Sequence, residues 1–586
     1  MTGPSGPWPA GLIRTRRGLA RSVAGMLAAL CASVLLAGCV TVPTSGPVER
    51  HAPAEQQANP GVDIAPVPPA RGASPGLIVE GFLHAMATYQ PGYAVARQFL
   101  TPEAAAAWQP ESGVEIYAGG YPPQVSDAGV VLTAPLVGTL DPRGTFTPGD
   151  TPYLHDFGLV RDTENQWRIS RPPRGLLVSQ SLFTGSWVRS DVCFWDVTGQ
   201  WLVPDPRFFP SGAAGLLATA RAVLTGPAPA AAAAYTGARP KDVEVSSATL
   251  GAGGVASVDL TGDTNALDAA ARRRLAAELV WSLSSLEGVL GVRVRGNGMV
   301  WEVGGGSEVL TVTDFQEGAP VPANPADGVY LLRGDSVERA TWSDPLAAPQ
   351  PIAGTTPPAS ALAVRADGQV LALVTDKGTR VRSVTVRDGG SREELTDTGI
   401  TGVRWTRQGE LWAVLDRPRD TRLRAIRDGR EIPVDAGGVP AGRILSFAPA
   451  PDGVRVALVI ESQGRTVLGV ADIVRSPAGA GLAGWRQLTP SSWARSNQPP
   501  VDVGWAGAAE LLVLLGGAPS ARVISVDSEG AVATDIRPND TAALVQLASA
   551  PPGHAVLRGP DGQTWRFVDG FTWEPWLDRV GAVSLP

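Results

Sequence analysis

The sequence is poor in the residues that carry reactive chemistry. Among 586 residues there are three cysteines, Cys31, Cys39 and Cys193, and four histidines. Numbers this small exclude a disulfide-stapled scaffold and argue against a zinc site built from several His and Cys ligands. Lysine is almost missing too, since Lys241 and Lys377 are the only lysines among 49 Lys+Arg. With so much Ala, Gly, Pro and Arg, that bias marks a GC-rich source and says nothing about fold. The formal net charge is -7 and no basic face stands out, which argues against a nucleic-acid binder. Hydrophobic residues at 44% and charged residues at 18% make the chain too apolar to be disordered. At roughly 100–200 residues per domain, the length predicts about three or four domains.

What is present begins with a targeting segment. Arg14, Arg16, Arg17 and Arg21 form a basic stretch free of acidic residues, an apolar run follows from Val23 to Leu36, and Leu36-Ala37-Gly38-Cys39 closes it. The apolar run is short for a membrane span of ~20 residues. The order basic, apolar, small, Cys resembles a bacterial lipoprotein signal peptide with its lipobox. Small Ala37 and Gly38 let a peptidase reach the bond before Cys39, whose thiolate takes the diacylglyceryl group. Arg16-Arg17-Gly18-Leu19 is similar to a twin-arginine signal, so both export routes stay open. Either one delivers the chain to the outer face of the cytoplasmic membrane. Cleavage after residue 38 discards Cys31 and four arginines, taking the formal charge from -7 to -11. Cys193, in the apolar run Val192-Cys193-Phe194-Trp195, is then expected to be a buried inert thiol.

Residues 39–73 hold the lipidated Cys39 and a tether. Pro43, Pro47, Pro53, Pro60, Pro66, Pro68 and Pro69 prevent regular structure. At ~3 Å per residue, such a chain is long enough to hold a body tens of ångströms from lipid.

Three folded regions are expected after the tether. In residues 74–190, Ser74-Pro75 starts a helix carrying Leu77, Ile78, Phe82 and Met86 at helical spacing. A second helix covers Tyr93–Phe99, and Thr101-Pro102-Glu103 caps a third. An antiparallel meander then follows through Val130–Leu140, Leu154–Arg161 and Gln166–Ser170, a pattern that resembles the NTF2-like α+β cone. His155 and Asp156 are neighbours in a strand, point to opposite faces and are expected to form a surface pair.

In residues 191–314, a helix over Gly212–Leu224 precedes strands at Val243–Ser247 and Val255–Leu260. A long helix after Asp263-Thr264 then carries Leu267, Ala271, Leu275, Leu279, Leu283 and Leu286 on one face, ends at Glu287-Gly288, and leads into a strand at Val289–Val294. The turn Leu224-Thr225-Gly226-Pro227, the segment Glu278-Leu279-Val280-Trp281-Ser282-Leu283 and Leu286-Glu287-Gly288-Val289 resemble the α+β GerMN domain, which is not known as a catalytic unit. Asp259 is expected to make structural hydrogen bonds.

Residues 328–586 repeat. Turn glycines Gly368, Gly409 and Gly453 are 41 and 44 residues apart, the pitch of four-stranded propeller blades. The Pro451-Asp452-Gly453 turn resembles those of TolB-like propellers. An all-β propeller of six blades is expected, with five and seven as alternatives. A blade split between both ends of the region would close the ring and hide its edges. Trp405, Trp412, Trp505 and Trp565 fall in strand patterns and are expected to pack between blades.

This domain order resembles the actinobacterial LpqB lipoproteins. Cys39-Val40-Thr41-Val42-Pro43, Phe99-Leu100-Thr101-Pro102-Glu103-Ala104 and Val280-Trp281-Ser282-Leu283 carry the likeness. The resemblance implies a membrane lipoprotein bearing acyl chains such as palmitate on Cys39. It also implies a partner, the extracytoplasmic domain of an MtrB-like sensor histidine kinase in an MtrA–MtrB two-component system, with cell-wall homeostasis and division as outputs. It implies no catalytic residues, metal or cofactor. The alternative is an extracellular cell-wall hydrolase or glycan-binding protein. The sequence has no HExxH, no G-x-S-x-G with a credible partner set and no His/Cys cluster, but glycosidase carboxylate pairs are not visible in one sequence. Any ligand-binding residues are unassigned.

Overall fold

Helix starts follow from local chemistry. The computed structural model describes residues 66–586 except 128, 239, 304–305, 323–325, 353–357, 417–421, 489–497, 517–520, 537–542, 569 and 571. The signal peptide, the lipobox Leu36-Ala37-Gly38-Cys39 and the tether up to residue 65 lie outside the described residues. Helix α1 (Pro75–Ala87) opens where the Ser74 hydroxyl accepts the Leu77 N–H, with proline in the first turn. It buries Ile78, Phe82 and Met86, each worth about 1.5–3 kcal/mol. Leu77 does not join that stripe and is 59% exposed, because it sits one residue before Ile78 and so about 100° around the helix. The expected helix over Tyr93–Phe99 is shorter. A 3-10 turn, Pro91–Tyr93, meets α2 (Ala94–Arg97) at Tyr93, whose φ of 52° interrupts the helix. Thr101 caps α3 (Pro102–Ala107) through the Ala104 N–H.

The sheet beneath these helices is not a simple meander. The long strand Gly129–Leu140 pairs antiparallel with Val114–Tyr117, which pairs parallel with Leu176–Ser179. The expected strand Leu154–Arg161 breaks at Phe157-Gly158. Phe157 turns into the core and Gly158 takes φ +58° with Ser170 and Arg171 against it, so Pro152–Asp156 and Leu159–Arg161 enter different sheets. After α4 (Gln180–Ser186), the strand Trp187–Asp196 runs straight across residues 190 and 191 and pairs with Leu202–Pro210. Trp187 and Phe208 of this hairpin belong to the first region's core, whereas Phe194 and Leu202 belong to the second's.

In the second region, α5 (Ala213–Thr225) and α6 (Ala269–Leu283) lie with a sheet in which Val255–Gly262 pairs antiparallel with Val243–Leu250 and parallel with Gly291–Gly296. Helix α6 starts later than expected. Thr264–Ala266 is a separate 3-10 turn, Leu267 is extended, and Asp268 is the cap, accepting the Ala271 N–H at 2.7 Å. It also ends earlier, at Leu283, so Leu286 and Glu287-Gly288 belong to the connection. Leu275, Leu279 and Leu283 are fully buried, while Ala271 is only half-buried.

Residues 328–586 form six sheets among the described residues. Their innermost strands are Ala582–Ser584, Ala359–Val364, Ile400–Trp405, Arg443–Pro449, Pro500–Trp505 and Gln546–Ala550, and each touches the next around a ring. The first sheet is built from both ends of the region, with Tyr330, Leu331 and Leu332 opposite Ser584, Val583 and Ala582. The turn glycines Gly368, Gly409, Gly453 and Gly553 have φ from +69° to +80°, a region that disfavours any side chain. One sheet departs from the repeat. Its outer hairpin, Arg465–Ser476 with Gly479–Leu488, is longer than the other blades' strands and reaches Pro229–Ala231 and Phe146–Pro148 in the first two regions. Residues Ala65–Pro586 thus pack as one unit.

A chain ending at Gly581 leaves the Gly328–Arg333 edge unpaired. It is expected to melt at least about 5 °C lower than the full chain and to aggregate in size-exclusion chromatography. Unchanged melting and elution would remove the closing role assigned to Ala582–Ser584.

Candidate functional site

The residues singled out by sequence separate into structural groups. His155 Nε2 lies 2.9 Å from the Arg171 carbonyl and Asp156 is ion-paired with the Arg171 side chain, so both serve one surface contact. Asp259 accepts the Ser247 hydroxyl at 2.8 Å and faces Arg295. Cys193 is buried, its thiol pushed well up by desolvation, and its N–H donates to Ser282 Oγ at 2.8 Å. Trp412 is fully buried and stacks on Phe447 of the next blade, 5.4 Å between centroids. Trp505 donates to the Ala448 carbonyl of the preceding blade. Trp565 is half-buried against the last two blades' core, and Trp405 lines the channel. Among the described residues no group of three His, Cys, Asp or Glu side chains is arranged to hold a metal ion.

Sequence reasoning missed a buried ionic seam where the propeller meets the other regions. Arg189, on the strand Trp187–Asp196, pairs with Asp191 at 2.8 Å and with Glu529 of the propeller at 2.9 Å. The Ser528 hydroxyl donates to Glu529. Ser528 Oγ is also 3.4 Å from Arg455, which is 1% exposed, pairs with Asp452 at 2.8 Å, donates to the Ala508 carbonyl and lies 5.0 Å over the Trp505 ring. The same turn sends Val454 into the core of the second region. Its signal was in the sequence, as an apolar Val454 directly after Pro451-Asp452-Gly453, but a repeat turn gives no partner for it.

Two carboxyls beside the seam, Asp527 and Asp472, are perturbed. Burial, reinforced by the Glu529 charge, pushes Asp527 up to about 7, with Arg189 and two backbone N–H groups pulling the other way. Burial pushes Asp472 up to about 6 against Arg486 and Arg455.

The ring encloses a channel with two unlike mouths. All six inner strands begin at one mouth and end at the other. At the C-terminal ends of the strands, a cavity of about 140 Å³ is lined by Trp405, Pro449, Trp505 and Pro586, and by Val321 and Pro322 of the connection from the second region. Arg407 pins that connection. It donates to the carbonyls of Ala319, Pro320 and Pro451 at 2.7, 3.1 and 3.3 Å and lies 4.8 Å over Trp201. Burial lowers its pKa to about 10. At the strand starts, a cavity of about 390 Å³ is lined by propeller residues alone, including Ser360, Thr401, Arg404, Asp502, Gln546 and Arg558.

Comparison with known proteins places this architecture. Residues 68–184 match the family described as Lipoprotein LpqB, N-terminal domain, residues 191–300 the one described as Sporulation and spore germination, and residues 344–577 the one described as Lipoprotein LpqB beta-propeller domain. The Lipoprotein LpqB of Cutibacterium acnes is 33% identical over 587 residues, taking in 94% of this chain and 98% of that one. The chain belongs to the LpqB lipoprotein family. The LpqB of Streptomyces coelicolor is 27% identical over 561 residues, 86% of this chain and 88% of that one. Among solved structures, TolB from Acinetobacter baumannii is 12% identical with a TM-score of 0.35, covering 55% of this chain and 85% of that one. LpqB proteins are lipoproteins by name, and no helix among the described residues of this family member is long and apolar enough to cross a membrane.

The seam gives a signed pH dependence. In an unfolded chain Asp titrates near 3.9. Between about 4 and 7 the folded chain keeps protons on Asp527 and Asp472 that the unfolded chain has lost, so their contribution to stability falls as pH rises through that window. Asp527→Asn is therefore expected to stabilise the chain more at pH 8 than at pH 5, in denaturant melts at both. Equal effects at the two pH values would refute the raised Asp527.

Proposed function

We propose that this protein is a lipid-anchored accessory of an MtrB-like sensor histidine kinase, acting on the kinase's extracytoplasmic domain and through it on cell-wall homeostasis and division. The observation that carries the reading is the match to LpqB lipoproteins through three domains in order, over nearly the whole chain. Basic, apolar and small residues ahead of Cys39 support its thiol as the lipid attachment point and the outer face as its location. One acyl chain binds a membrane only marginally, so several on Cys39 are needed for a stable anchor. An anchor in the kinase's own plane raises effective concentration, and modest contacts then suffice.

The reading is of a protein that acts by contact. Some of its perturbed ionisable groups are held in ion pairs, as Glu410 is between Arg427 and Arg475. The seam joins the propeller to the first two regions, so a partner bound on one is mechanically connected to the others.

Two measurements test the reading. Cys39→Ala is expected to abolish incorporation of labelled fatty acid and to move the mature chain out of the membrane fraction. Retention of a processed, unlabelled chain in that fraction would refute Cys39 as the anchor. The full chain and the kinase, reconstituted in one liposome, are expected to crosslink through the kinase's extracytoplasmic domain. No crosslink there, alongside turnover of purified peptidoglycan by the full chain, would replace the accessory role with a cell-wall hydrolase.

A further inference from the structure

The wider mouth of the channel gathers two arginines from different blades. Many propeller arginines are neutralised in pairs, as with Arg333 and Glu338, Arg424 and Asp397, or Arg522 and Asp535. Arg404 and Arg558, which line this mouth from different blades, are not. Arg404 donates from Nη1 to the neighbouring Val403 carbonyl at 2.9 Å. Arg558 donates from Nε to Gln546 Oε1 at 3.1 Å and from Nη1 to the Gly559 carbonyl at 3.3 Å. No carboxylate makes an ion pair with either among the described residues, so each fork keeps N–H groups for something else.

The nearest acid of the mouth is already committed. Asp502 accepts the Ser446 hydroxyl at 2.6 Å and its own neighbour's Val503 N–H at 2.9 Å on Oδ1, and the Leu547 N–H at 2.9 Å on Oδ2. It takes donors on both oxygens, as a carboxylate does, and it is close enough to both arginines to interact with their charges. Two guanidinium groups and one fixed carboxylate leave one positive charge facing the cavity. Around them the rim is apolar. Leu445 and Val545 are 39% and 42% exposed, and Val501 lines the same wall. Ser360 and Thr401 add hydroxyls at the entrance.

We propose that this mouth binds the carboxylate end of an apolar chain, namely a peptide C-terminus with a hydrophobic last residue. A guanidinium fork matches a carboxylate with two parallel hydrogen bonds, and a monoanion balances the single net charge. The apolar rim accepts the last side chain, and the cavity of about 390 Å³ admits one residue and part of a second. A phosphate dianion would overbalance the charge and leave Leu445 and Val545 uncovered. The proposal is independent of the kinase reading, since it needs only the propeller.

The test titrates N-acetyl-Ala-Ala-Leu into the full chain in detergent micelles by calorimetry, beside its C-terminal amide and inorganic phosphate. The free acid is expected to bind at least about tenfold more tightly than either control. Arg404→Gln and Arg558→Gln are each expected to weaken the acid at least about tenfold while leaving the melting temperature unchanged, and Arg558→Lys to recover part of the loss. Should Arg404→Gln fail to fold, Leu445→Asp on the exposed rim takes its place, with the same loss expected. Equal binding of acid and amide, phosphate binding as tight as the acid, or no binding of the acid at millimolar concentration would each overturn the proposal.

Discussion

One buried guanidinium sets the terms for the rest of the molecule. Arg455 has no water to solvate it, so its charge and its donors must be met by protein. Asp452 meets the charge, and Ala508 and Ser528 of the next blade meet donors. Ser528 then hands on to Glu529, and Glu529 to Arg189 in the strand shared by the first two regions. Polar contacts therefore run from the interior of one blade, through a second, to the other domains. Removing a member strands a charge in the interior, a loss of about 3–5 kcal/mol where a buried pair is broken. Such a seam is costly to assemble and poor at tolerating slippage.

How much of this was legible in sequence depends on the range of the interaction. Ser74-Pro75 and Thr101-Pro102 gave their helix starts correctly because a cap involves residues three apart. The blades were legible because each strand pairs with its chain neighbour and each turn glycine marks the register. The sequence places the start of α6 after Asp263-Thr264, whereas Asp268, five residues on, caps it; the extended Leu267 separates the two. The parallel pairing of Val114–Tyr117 with Leu176–Ser179 has no local signature at all. Nor do Arg404 and Arg558 stand out in a chain whose 49 Lys+Arg are nearly all arginine. They become a site only when the ring brings two blades to one mouth and leaves both without an acid.

The two mouths show how one repeated strand design yields different surfaces. Every inner strand runs the same way along the channel, so strand starts collect at one end and strand ends with their turns at the other. The end rich in turns meets the incoming connection, and Arg407 with Trp201 holds it there. Among the described residues the start-rich end is lined by the propeller alone. The asymmetry follows from strand direction alone, and it separates a face that joins the body from a face available to a ligand.

The way the ring closes also orders events in time. Ser584 hydrogen-bonds Val364 across 220 residues, and the strand it sits on completes the sheet begun by Gly328–Arg333. The first blade to leave the ribosome is thus the last to be finished. Until the final residues emerge, its inner edge stays bare and the inner strands have no closed neighbour on that side, whatever the remaining blades have achieved. Closure is a contact of long sequence separation, slow to form and all-or-none in effect. Closure of the ring therefore waits for Ala582–Ser584, and a protein cut before them is exposed as incomplete at its first blade.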